Sequence, residues 1–327
     1  MLQKNRVSKP CKVQYEEFSR NPRVSEASLL SFNGVDDSDI YNPSVPFIMN
    51  GITFMAGRIE KRDGHNSTVR FFEKKADGFY CRYDMPEFVM EDPFITFIND
   101  ELILGGVEVD WVGTKVLSYK TVFFRGTDLM NMKRFASGPK NMKDIRLVQL
   151  NDKRIGIFTR PREMQKLNEW GSYAKIGFTI ISTLDELNED VIVNAPHLQG
   201  QFIGEEWGGC NEAIVLKNGL LGVVGHKAYG KFISMEDMDS MELHYFGFAF
   251  AMDPVTLATT ENKMIISRDC FPKAPAKKEG LKDITFTSGL VRLDDGNARV
   301  FTGLSDSAIG TAIIPDPFLE WEKITIN

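Results

Sequence analysis

Short apolar runs alternate with polar turns along the chain, and five stretches of 19 or 20 residues repeat one arrangement of them. Each opens on a polar residue, continues through an apolar run, a turn and a second apolar run, and closes on a polar residue. The stretches are NPSVPFIMNGITFMAGRIE (42–60), DPFITFINDELILGGVEVD (92–110), DIRLVQLNDKRIGIFTRPR (144–162), NEAIVLKNGLLGVVGHKAY (211–229) and TSGLVRLDDGNARVFTGLSD (287–306). Asn50-Gly51, Asn99-Asp100, Asn151-Asp152, Asn218-Gly219 and Asp294-Asp295-Gly296 fall midway, where tight hairpins want them. The pattern predicts five β-hairpins.

A further β-rich run follows every hairpin, and the starts near 42, 92, 144, 211 and 287 are spaced like propeller blades or somewhat wider. The expectation is an all-β chain, a single domain folded as a five-bladed β-propeller. Residues 1–30 lie outside the repeat and read as an N-terminal arm. Leu184 to Asp190 and FPKAPAKKEG (271–280) read as loops that overhang one face. A β-sandwich would supply many short strands but not five matching hairpins with the same polar ends.

In a hairpin the first residue of one strand and the last of the next lie at the same end. Five hairpins around an axis therefore converge their polar tips: Asn42 with Arg58, Asp92 with Glu108, Asp144 with Arg160, Asn211 and Glu212 with His226 and Lys227, and Thr287, Ser288 and Asp306 from the last unit. Arg58, Glu108, Arg160 and Lys227 occupy the seventeenth position of their units. Repeated charge at an inner mouth costs desolvation, which favours a site.

Composition narrows the partners. Thirty-nine Lys+Arg against 45 Asp+Glu give a formal charge of −6, so no broad cationic field exists to draw in nucleic acid or anionic lipid. No secretory signal and no membrane-length apolar segment stand in the sequence, and the chain reads as cytoplasmic. Cys11, Cys81, Cys210 and Cys270 lie far apart and read as reduced, structural thiols. His65, His197 and His244 show no metal-ligand spacing, so no metal is expected. Phosphate-loop and dinucleotide motifs are missing, which leaves a nucleotide only as the carrier of a donor sugar.

Val89-Met90-Glu91-Asp92-Pro93, Tyr41-Asn42-Pro43 and the run from Ala56 to Asp63 resemble the five-bladed β-mannoside phosphorylases. More closely, FNGVDDSDIYNPSVPF, MEDPFIT, KDIRLVQL with IGIFTRP, and NEAIVLKNGLLGVVGHKAY resemble the β-1,2-mannosyltransferase/phosphorylase family of mannogen turnover, over about residues 30–318. The resemblance implies Asp92 as proton donor, acting through a sugar hydroxyl, and inversion at the anomeric carbon. Phe94 stands where an arginine often follows the Glu-Asp-Pro triplet in that family.

A phosphorylase needs an acid but no base, because its co-substrate, inorganic phosphate, is already an anionic nucleophile. Arg146, Arg160, His226 and Lys227 are the expected phosphate cradle. Asn42, Arg58, Glu60, Asp63 and Asp144, with Asp306 and Glu212, are the expected sugar contacts. Glu91 and Glu108, if unpaired, would raise the Asp92 pKa. Trp111, Trp170, Trp207 and Tyr229 are candidates for stacking on sugar faces. The substrates expected are a mannoside or mannose 1-phosphate, and a nucleotide sugar if the chain also acts as a mannosyltransferase. Two alternatives stay open: a β-mannosidase in which Glu212 or Glu206 activates water, and a catalytically silent glycan-binding propeller.

Overall fold

Runs rich in Ile, Val, Leu and Phe, broken by Asn, Asp and Gly at the turns, fold into antiparallel strands throughout, and the protein is all-β. A computed structural model describes residues 1–64, 66–113, 115–232 and 241–325; His65 therefore lies outside the described residues. One helix, α1 (Cys11–Ser19), and two strands, β1 (Ser25–Leu29) and β2 (Phe32–Asn33), precede the repeats.

The first unit pairs β3 (Asp39–Tyr41) and β4 (Phe47–Met49) with β5 (Ile52–Glu60), followed by β6 (Thr68–Lys75) and β7 (Gly78–Cys81), to which β2 adds in parallel. The second is β8 (Glu91–Ile98), β9 (Glu101–Val112), β10 (Lys115–Gly126) and β11 (Lys133–Ser137). β12 (Arg146–Gln149), β13 (Ile155–Thr159) and β14 (Gly177–Ile181) make the third. The fourth comprises β15 (Trp207–Val215), β16 (Leu221–Phe232), β17 (Met241–Met252) and β18 (Lys263–Ile266). In the fifth, β19 (Asp283–Arg292), β20 (Asn297–Leu304) and β21 (Ala308–Pro315) are joined by β1 from the start of the chain, antiparallel to β21. A short parallel pairing of His244 and Tyr245 with Asp283 and Ile284 merges the fourth and fifth units into one eight-stranded sheet.

Successive units lie side by side through these strands: β8 against β5 and β12, β12 against β15, β15 against β19. β3 in turn touches β20 and β21. Apolar clusters fill the spaces between units. Phe54, Phe71 and Leu104 lie between the first and second, Ile103, Phe123 and Ile157 between the second and third, and Phe158, Phe178 and Phe248 between the third and fourth. Val224, Leu290 and Val300 separate the fourth and fifth, and Ile40, Phe72, Phe301 and Ile309 lie between the fifth and the first.

The segment from Leu184, expected as an overhanging loop, instead turns inward. It carries a capped turn at Leu184–Glu186, and Leu184, Leu187 and Ile192 bury into the cluster between the second and third units. The 271–280 loop does reach across: Arg62 Nη1 donates to the Ala276 carbonyl, and Lys277 pairs with Glu60 of the first unit.

Candidate active site

Asn42, Asp92, Asp144 and Asp306 all have left-handed backbones, with φ of 44°, 48°, 61° and 51°. Asn and Asp tolerate that region best among residues with a Cβ. The conformation lifts each residue out of its ladder; at Asp92 the β8–β9 register shifts between Glu91 and Phe94. The four side chains face one cavity of about 110 Å³, which Arg58, Arg160 and His226 also line. Two further polar residues complete it, Lys143 and Tyr245, neither of which the sequence pattern singled out.

Asp92 is 4% exposed and engaged from three sides. Asn42 Nδ2 donates to its Oδ1 at 2.8 Å and Arg58 Nη1 donates to the same oxygen at 3.0 Å, while Lys143 Nζ stands 3.9 Å from Oδ2. Burial alone would raise this carboxyl, but Arg58, Lys143 and Asn42 outweigh it and hold Asp92 below the usual carboxylate range. The sequence-based expectation of a raised acid depended on unpaired Glu91 and Glu108, and both are paired. Glu91 is raised by burial but bonds Arg58 at 3.0 Å, and Glu108 is spent on Arg134 and Lys120. Asp306, half-buried near Asp92, is pushed up by desolvation.

Arg160 lies on the other side of the cavity, its stem against Gly209, where a methyl group would come within 2.8 Å of Arg160 Cδ. Its Nη2 forms an ion pair with Asp144 Oδ2 at 3.0 Å, while Nε and Nη1 are buried without a hydrogen-bond partner among the described residues. Asp144 is driven strongly downward despite its burial, by Arg160, Lys143, His226 and Arg146. Asn211 fixes the His226 ring. Its Nδ2 donates to the Thr287 carbonyl at 2.7 Å, leaving Oδ1 to accept from His226 Nδ1 at 2.8 Å, so Nε2, 3.9 Å from Asp144 Oδ2, is the unprotonated acceptor. Burial lowers His226 to about 3, with Asp144 opposing, and the ring is neutral at ordinary pH.

Five expected contacts stand elsewhere. Lys227 follows His226 on β16, where successive side chains leave on opposite faces, so only one can enter the cavity. It is instead fully buried against Glu206 at 3.1 Å, and donates to Ser8 Oγ, the Lys9 carbonyl and Gln14 Oε1. Arg146 lies over the Phe94 ring and donates to the Asn211 and Ile145 carbonyls, lining a second cavity of about 300 Å³. Glu212 lines that second cavity too, accepting from the Leu290 amide at 2.8 Å. Glu60 sits behind Arg58, bonded to Arg58, Tyr41, Ser67 and Lys277, and Asp63 is exposed.

The aromatics named for stacking do not line the 110 Å³ cavity. Trp207 lies under Arg162 and donates to Tyr245 Oη, Trp170 meets His197 edge-on, and Tyr229 stacks on His244. Among the described residues no three His, Cys, Asp or Glu side chains converge as a metal-binding group, and no helix is long and apolar enough to cross a membrane.

The family model described as a protein of unknown function, DUF1861, matches residues 16–320. No curated protein matches the chain. Among solved structures, MPT-4, a mannose phosphorylase from Leishmania mexicana in complex with phosphate ion, is 38% identical, with a TM-score of 0.85 over 97% of this chain and 96% of its own. MPT-1, a GDP-Man-dependent mannosyltransferase from Leishmania mexicana, is 34% identical, with a TM-score of 0.85 over 97% of each chain. The β-1,2-mannobiose phosphorylase from Listeria innocua, at 16% identity and a TM-score of 0.60 over 93% of this chain and 97% of its own, shares the fold. The chain belongs to the DUF1861 family and is a relative of the Leishmania enzymes MPT-1 and MPT-4.

Proposed function

We propose that this protein is an enzyme acting on mannosides, a phosphorylase that moves a mannosyl group between a β-1,2-linked mannoside and phosphate with inversion at the anomeric carbon. The observation that carries the reading is the shared cavity of Asp92 and Arg160, whose Nε and Nη1 are buried donors without hydrogen-bond partners among the described residues. Unsatisfied guanidinium donors suit a phosphate, whose oxygens accept the two-pronged fork. The phosphate ion bound by MPT-4 supports the same assignment.

In this reading phosphate settles on Arg160 with Lys143 and neutral His226 beside it. A phosphate oxygen bonds to the anomeric carbon as the bond to the leaving sugar breaks. The electron pair stays on the leaving oxygen, which takes a proton from Asp92 relayed through a sugar hydroxyl. Asn42, Arg58, Asp144 and Asp306 face the mannosyl unit. The units form one domain, a closed five-bladed propeller, a reading supported by the apolar cluster between the fifth and first units.

Mannosyl transfer from a nucleotide sugar is a second reading, favoured by the 34% identity to MPT-1. The hydrolytic alternative loses its named base, because Glu212 lines the other cavity and Glu206 is tied to Lys227. Incubation with β-1,2-mannobiose should release mannose 1-phosphate only when phosphate is present. Free mannose formed at a rate indifferent to phosphate would make the protein a hydrolase, and turnover confined to GDP-mannose would make it a transferase.

A further inference from the structure

Every general acid must carry its proton when the bond breaks, yet the geometry around Asp92 keeps it ionised in the free protein. Arg58 reaches it from β5, Asn42 from the loop between β3 and β4, and Lys143 from the loop before β12. Glu91 on its own strand, Asp144 beside Lys143 and Asp306 from the turn between β20 and β21 are the carboxyls in the same neighbourhood. Arg58 is shared among Asp92, Glu60 and Glu91 and is fixed by Ser67. Lys143 is different. Its side chain is 33% exposed, it stands at 3.9 Å rather than in hydrogen-bond contact, and it lines the cavity with Arg160 and His226.

We infer that phosphate itself loads the acid: its negative charge, seated between Lys143 and Arg160, takes over Lys143 and draws a proton from solvent onto Asp92. This rests on the phosphorylase reading. Lys143 is then a positioning residue with two alternating partners, the Asp92 carboxylate when the cavity is free of anion and the phosphate when it is filled. Two effects push the same way on binding, since a cation is diverted from Asp92 and an anion is brought near it. The captured proton passes to the leaving oxygen during phosphorolysis. Release of the sugar phosphate then returns Lys143 to an ionised Asp92. Without phosphate the acid stays unprotonated, so water gains little from the site.

The proton is countable. Titration of phosphate into the protein by calorimetry, in buffers of different ionisation heat near about pH 6.5, compares wild type with Asp92→Asn; phosphate's own proton cancels in the difference. Wild type should take up more protons than Asp92→Asn, by about half a proton or more. Equal counts with intact binding overturn the inference alone, and failure of phosphate to bind either protein overturns the phosphorylase reading with it.

Kinetics give the second measure. The kcat/KM profile for phosphate reports the free protein and the kcat profile reports the ternary complex. Lys143→Met should move the alkaline limb of kcat/KM upward by about one pH unit and that of kcat by clearly less. Lys143→Arg should restore the wild-type profile. Equal shifts in both profiles, or no shift in either, would sink the proposal.

Discussion

Asp92 shows how much one residue can be asked to do by its backbone and its neighbours together. Its left-handed φ of 48° turns the side chain off β8, and Asn42, itself at 44°, meets it with an amide donor at 2.8 Å. Gly303 makes room for this meeting, because a methyl group there would fall 1.9 Å from Asn42 Oδ1 and 2.7 Å from its backbone nitrogen. Asp92→Asn preserves the shape but cannot donate as a carboxylic acid does. It should lower turnover by more than about 100-fold. Unchanged far-UV circular dichroism and retained phosphate binding would separate lost chemistry from lost fold, and an unimpaired variant would remove Asp92 from the acid role. The repeated Asp or Asn at the unit openings was visible in the sequence, but the left-handed backbone shared by Asn42, Asp92 and Asp144 was not. Lys143 escaped notice because a lysine one place before a repeat reads as a solvated loop charge, and only the folded loop sets it against Asp92.

At the scale of elements, hairpins were the most legible feature, since apolar runs around Asn-Gly and Asn-Asp turns leave few other options. Which face each tip residue presents was not. A register shift between Cys210 and Glu212, and the strict alternation along β16, decide that His226 enters the cavity while Lys227 leaves on the other side. The 271–280 loop was legible as an overhang, but its fastening to the first unit through Glu60 was not. Burial opposes ionisation of Glu60, yet Arg58, Lys277, Ser67 and Tyr41 prevail and bring it down to about 2. A carboxyl lowered by folding contributes stability that is full above the unfolded value near 4.5 and is lost as pH falls toward 2. Glu60→Gln should therefore be less stable than wild type near neutrality and converge with it in strong acid. Urea midpoints measured across that range would show this, and a difference independent of pH would refute the linkage.

Across the whole molecule, long-range ties join sequence-distant pieces. The N-terminal arm is one such tie: Lys227 of the fourth unit reaches Ser8, Lys9 and Gln14, and Cys11 donates its amide to Glu206 beside it. Burial depresses Lys227, with Glu206 opposing, so the pair depends on its full set of partners. Lys227→Ala leaves the Glu206 carboxylate without its cation and should cost about 3–5 kcal/mol, the usual scale for breaking a buried pair. Thermal denaturation should register that loss, and a shift within error would mean that the arm is held by its apolar contacts alone. β1 is the other tie, since residues 25–29 become a strand of the last unit only by lying along β21, residues 308–315. On the ribosome, this early segment therefore emerges without its partner, which is translated only after four entire units. Until then β1 has no partner strand, and once β21 emerges it presents an open edge that the same segment of a second nascent chain could occupy instead. Folding of this protein then includes a race, once β21 has emerged, between a strand waiting on its own chain and the same strand from another.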